Sequence, residues 1–150
     1  MSEKEINIIA EQKEETFRKY IKNSIHPFPF VVEMIKSLAE AEFRLAVVSS
    51  TTLENIQLIT ETLCIKSFFD LLVTGKDVAA GKPNPQGFLT GAAGLGVRPQ
   101  NCIVIEDAAA GVRAVKKGGM YCIAVTNTCS KQDLAEADVI VNRLDEVNIS

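Results

Sequence analysis

The amino-acid sequence predicts an α/β fold, an open parallel sheet with helices packed on its faces. From Phe30 onward, amphipathic helical stripes alternate with short strands, the pattern of parallel strands joined by crossovers. The strand-like runs, such as Leu45-Ala46-Val47-Val48, are continuously apolar, as strands covered on both faces are. Their ends then turn abruptly polar, at Ser49-Ser50-Thr51-Thr52 and at Glu106-Asp107.

The first segment, about 3–22, reads as an amphipathic helix. Ser2 and Glu5 have capping-box spacing, and Ile6, Ile9, Phe17, Tyr20 and Ile21 return at helical intervals. His26-Pro27-Phe28-Pro29 breaks it, because Pro disfavours a helical residue before it. This joint is expected to divide the chain into two parts, 1–27 and 28–150. His26, the only histidine, stands beside Pro in a loop and reads as a packing residue rather than a ligand.

Val31, Ile35 and Leu38 form the next helical stripe, closing near Glu42, and Leu45–Val48 is the first strand. Leu53, Ile56, Ile59 and Leu63 give a helix, and Leu71-Leu72-Val73-Thr74 a second strand stopped by Gly75. A loop from Lys76 to Asn84 carries Gly81-Lys82-Pro83, and a helix over about 85–95 starts with Pro in its first turn. The strand at 102–106 leads into a helix, 108–117, closed by Gly118-Gly119. Tyr121–Val125 is a fourth strand, Ser130–Ala135 a short helix with a Ser-x-x-Asp start, and Val139–Val141 a fifth strand.

Composition narrows the function classes. The chain has 150 residues, 47% hydrophobic and 23% charged, enough for one domain with a real core. A net charge of −3 without a basic block argues against nucleic acid as a partner. No apolar run approaches the roughly 20 residues a membrane span needs, and the polar N-terminus is unlike a signal peptide. Cys64, Cys102, Cys122 and Cys129 are scattered without a C-x-x-C pair, which points to a reduced, cytoplasmic setting and away from zinc. No G-x-G-x-x-G follows the first strand, which argues against a dinucleotide site.

Function is concentrated at the strand ends. Cys102-Ile103-Val104-Ile105-Glu106-Asp107 runs from an apolar strand into two acids where a helix begins. Carboxyl ends of parallel strands are where ligands bind, and adjacent carboxylates there suit Mg²⁺. Ser49-Ser50-Thr51 follows the first strand, where hydroxyls and amides at a helix start can hold a phosphate, and Lys82 adds a cation. Taken singly, Asp107, Ser49 or Thr51 could each be a helix cap, and Lys82 a surface lysine. Parallel strands bring all of them to one edge, and a hydroxyl, an ammonium and an acid pair together suit phosphoryl transfer.

With Leu45–Ser50, Gly81-Lys82-Pro83-Asn84-Pro85 and Ile103–Gly111 in view, the chain resembles the haloacid dehalogenase (HAD) superfamily of phosphohydrolases and phosphomutases. The likeness runs from about Phe28 to the C-terminus and is greatest to the β-phosphoglucomutase and phosphoglycolate-phosphatase-like branch. It implies a Rossmann-like three-layer parallel sheet. It also implies Mg²⁺ as cofactor and a small phosphorylated metabolite as substrate. Ser49 would hydrogen-bond the transferring phosphoryl group with help from the Ser50 backbone, and Lys82 would neutralise phosphate and nucleophile. Asp107 would bind Mg²⁺, with Glu106 beside it directly or through water. Ala108 stands where many relatives carry Ser.

One family element has no counterpart. Members begin with an apolar strand ending in Asp-x-Asp-Gly-Thr, which supplies the nucleophile and the general acid/base. The aspartates here are Asp70, Asp77, Asp107, Asp133, Asp138 and Asp145, and no two are two residues apart. The chain is therefore expected to be a truncated member lacking its first central strand, with the N-terminal helix left from the family's helical cap. Without that strand, those ending at Val48 and Glu106 should pair directly, or another chain or a second copy should fill the gap. Two readings follow: a phosphatase or phosphomutase inactive alone for want of its nucleophile, or a non-catalytic phosphate- or protein-binding module.

Overall fold

A computed structural model describes residues 1–149. Helix α1 (Glu3–Ser24) opens on the expected capping box: Ser2 Oγ accepts from the Glu5 amide and the Glu5 carboxylate accepts from the Ser2 amide. The remaining elements are α2 (Val31–Glu40), β1 (Ala46–Val48), α3 (Leu53–Thr62), β2 (Leu71–Val73) and α4 (Gln86–Gly94). They continue with β3 (Ile103–Glu106), α5 (Ala109–Lys117), β4 (Tyr121–Val125) and β5 (Val139–Val141). Every strand pairing is parallel. Among the described residues no helix is long and apolar enough to cross a membrane.

Strand β4 shows why the layers form. Its side chains alternate between faces. Cys122 and Ala124 join the larger core with Phe88 and Ala92 of α4 and Val112 and Val115 of α5. Ile123 and Val125 point the other way and pack with Val31 and Met34 of α2. Helices therefore cover both faces, giving the expected three layers.

The sheet is interrupted in the middle. Strands β1 and β2 form one pair, β3, β4 and β5 form another sheet, and no hydrogen bonds join β1 to β3. Direct pairing, one of the two expected outcomes, does not occur. Helix α4 packs on β1, β2 and α5, so it spans the two sheets. Ile103 and Ile105 of β3 remain 45% and 36% exposed.

Two local expectations fail. The helix expected over 130–135 is absent, and residues 131–135 form turns. Ser130 and Asp133 exchange capping bonds, but a six-residue segment is too short to repay the cost of helix nucleation. His26 is exposed and does not pack. All four cysteines are free; Cys122 is fully buried, and Cys102 is half-buried just ahead of β3.

Candidate functional site

The loop after β1 is held by its neighbours rather than by capping. Ser49 N–H donates to Val73 O at 3.0 Å, extending the β1–β2 ladder by one residue. The N-cap of α3 is Thr52, whose hydroxyl accepts from the Asn55 amide, so neither Ser49 nor Thr51 serves as the cap. Ser49 Oγ accepts from the Thr51 amide at 3.3 Å and keeps its own proton for an outside acceptor. Gly75, at the end of β2, lets the two loops close on each other. A β-carbon there would stand 2.6 Å from Ser50 O.

Ser49, Ser50, Thr74, Gly75 and Lys82 line one cavity of about 250 Å³ at these strand ends. The loop carrying Lys82 is braced by Gln86, whose side-chain oxygen accepts from the amides of Ala79 and Ala80 at 3.0 Å each. Lys82 Nζ lies 4.9 Å from the centre of the Phe88 ring and pairs with Glu106 Oε1. Its side chain is only 24% exposed, unlike a free surface lysine. An ammonium has three donors, so the pairing leaves Lys82 able to bind a second anion.

Glu106 is turned inward. Its Oε2 accepts from the amides of Asp107 and Ala108 at 2.9 and 3.0 Å, while Oε1 takes Lys82. The carboxylate therefore covers the N-terminus of α5, where orphan amides and the helix dipole favour negative charge. Helix α5 has Ala108 at its N-cap position without a side-chain cap. No side chain therefore takes the capping role weighed for Asp107; Glu106 instead binds the two amides just ahead of the helix.

Asp107 is half-buried beside this arrangement. Thr128, in the loop after β4, donates its hydroxyl to Asp107 O at 2.9 Å and lies 3.3 Å from Oδ2. No cluster of three or more His, Cys, Asp or Glu side chains suited to a metal occurs among the described residues. The donor set still fits Mg²⁺, which commonly takes one or two carboxylates and completes its shell with water and ligand phosphate.

A family model described as haloacid dehalogenase-like hydrolase matches residues 1–125. The chain belongs to this family. It is 38% identical to validoxylamine A 7′-phosphate phosphatase of Streptomyces hygroscopicus subsp. limoneus, over 77% of this chain and 54% of that protein. It is 32% identical to β-phosphoglucomutase of Bacillus subtilis, over 81% of this chain and 51% of that one. Among solved structures, β-phosphoglucomutase from Clostridium difficile superposes with a TM-score of 0.87 at 28% identity, over 99% of this chain and 66% of that chain. The chain thus spans about half the length of these curated relatives.

Of the residues singled out from sequence, the fold gathers Ser49, Ser50, Lys82 and Glu106 about the cleft and leaves Asp107 adjoining Glu106. Sequence reasoning missed three contributors: Thr128 on Asp107, Phe88 under Lys82, and Gly111 against Glu106. Only Gly111 left a trace, as the glycine ending the Glu106–Gly111 stretch.

Proposed function

We propose that this chain is the phosphate- and Mg²⁺-binding part of a phosphatase or phosphomutase for small phosphorylated metabolites. The observation that carries the reading is the convergence of Ser49, Ser50 and Lys82 on one strand-end cavity, with Lys82 tied to Glu106 at the start of α5. Ser49 donates its hydroxyl proton to a phosphoryl oxygen and the Ser50 amide adds a second donor. Lys82 balances the phosphate charge. Asp107 would hold Mg²⁺, with Thr128 orienting its carboxylate and Glu106 beside it directly or through water. Bound Mg²⁺ would neutralise developing negative charge on the phosphoryl oxygens.

The reaction class is attack of an aspartate carboxylate on the phosphoryl phosphorus with departure of the metabolite's hydroxyl, followed by transfer of the phosphoryl group from the acyl phosphate to water or back to a hydroxyl of the metabolite. That nucleophile is not among Asp70, Asp77, Asp107, Asp133, Asp138 and Asp145 by motif, so these 150 residues are proposed to bind without turning over alone. The unpaired edges of β1 and β3 support completion by an extended segment from another chain or a second copy. A strictly monomeric species in light scattering at every concentration would count against that. Helix α1 is assigned to a cap unit, residues 1–27, and 28–150 to the core. The four free cysteines support a reducing, cytoplasmic setting.

Phosphate release from a panel of phosphomonoesters with Mg²⁺ tests the reading, with Asp107→Asn run in parallel. No turnover by either protein is expected. Turnover that disappears in the variant would mean that a nucleophile lies within these residues.

A further inference from the structure

A line of hydrogen bonds runs from α1 to the loop after β1. Asn55 of α3 is 1% exposed, and its Nδ2 donates both protons: one to Glu14 Oε2 on α1, the other to Thr51 Oγ1 at 2.8 Å. The Thr51 amide in turn donates to Ser49 Oγ at 3.3 Å. Asn55 Oδ1 is buried and has no partner among the described residues. A buried acceptor left unsatisfied is unfavourable, so some contact must hold the amide in this orientation.

Glu14 supplies that contact. An ionised carboxylate only accepts, so it must face Nδ2 and turns Oδ1 away. With Nδ2 toward Thr51, the Thr51 hydroxyl acts as acceptor and keeps its own proton. Ser49 Oγ likewise accepts from the Thr51 amide and keeps its proton as a donor. A reversed amide would make the Thr51 hydroxyl donate inward and would pull on the loop that carries Ser49.

We propose that Glu14 is a positioning residue for Ser49, acting through Asn55 and Thr51, so that the placement of α1 sets the phosphate-binding loop. This rests on the reading of Ser49 as a phosphate-binding hydroxyl. Glu14 touches no substrate. It fixes which way the Asn55 amide faces.

The test uses the full chain and four variants: Glu14→Ala, Glu14→Gln, Glu14→Lys and Ser49→Ala. Gln keeps an acceptor for Nδ2, whereas Lys offers only donors and demands the reversed amide. Two quantities are read: hydrogen exchange of the Thr51 amide without ligand, and the Kd for orthophosphate. Glu14→Ala and Glu14→Lys should speed Thr51 exchange and weaken phosphate binding about tenfold, while Glu14→Gln stays near wild type. Unchanged exchange protection of α1 shows that the helix remains docked.

Wild-type exchange and affinity in both Glu14→Ala and Glu14→Lys would overturn the inference. Loss of phosphate binding in Ser49→Ala without any loss in Glu14→Ala would overturn the inference alone. A wild-type protein that binds no orthophosphate, or Ser49→Ala that binds it equally well, would overturn the reading of Ser49 and the inference with it.

Discussion

Gly111 of α5 faces the carboxyl group of Glu106 with no room for a β-carbon between them. The first turn of α5 and the end of β3 are thereby in direct contact, and this lets Glu106 reach the amides of Asp107 and Ala108. Gly111→Ala should push the carboxylate off those amides and away from Lys82. The expected loss is about 2 kcal/mol, typical of overpacking a filled site. Urea unfolding of the variant beside wild type measures it.

Lys82 and Glu106 should respond unequally to neutralisation. Glu106→Gln turns an amide NH₂ toward either Lys82 or the two backbone donors, and costs about 2 kcal/mol as a charge-assisted arrangement is lost. Lys82→Met leaves Glu106 with both amides and sets a thioether over Phe88, so the loss should be smaller, about 1 kcal/mol. Thermal melts of the two variants give the order directly. A Lys82→Met protein less stable than Glu106→Gln would contradict it.

Asp138 gives the fold a pH-dependent anchor between α5 and β4. Its carboxylate accepts from Lys116 Nζ at 2.6 Å and from the Cys122 amide at 2.7 Å. The Lys116 hydrogen bond first, and then the Cys122 amide, hold it below its ordinary 3.8. The unfolded chain therefore takes up this proton more readily than the folded one. The stabilisation is present above the ordinary value and disappears as pH falls through the depressed one. Asp138→Asn should be less stable than wild type near pH 6, with the gap closing toward about pH 2. Unfolding free energies across that range test the convergence.

The cysteines should label in a set order. Cys64 is exposed, whereas Cys122 is fully buried. Burial, and then the negative charge of Asp138, push the Cys122 thiol up to about 11. A thiol reagent at mildly alkaline pH should modify Cys64 in the folded protein and reach Cys122 only on unfolding, as mass spectrometry would show.

Local patterns were legible in the sequence where a single segment decides them. The Ser2–Glu5 capping box, the apolar run at β1 and the strand ending at Glu106 all follow from residues within a few positions. The inward turn of Glu106 also follows from strand alternation, since it shares a face with Val104, which packs against the larger core. Contacts between distant segments leave no such trace. Asn55 lies 41 residues from Glu14, and Thr128 lies 21 from Asp107; polar pairs of this kind have no periodicity to reveal them. Residues 130–135 show the opposite failure, where Ser-x-x-Asp capping chemistry suggests a helix and the segment forms turns instead.

The most direct measurement is calorimetric titration of orthophosphate into the full chain with and without Mg²⁺, repeated for Lys82→Met and Asp107→Asn. The strand-end site predicts binding that Mg²⁺ strengthens. It also predicts that Lys82→Met weakens binding at least about tenfold under both conditions, and that Asp107→Asn removes only the Mg²⁺ enhancement. Phosphate binding that is indifferent to both substitutions, or absent from the wild-type protein, would contradict the assignment of this cleft.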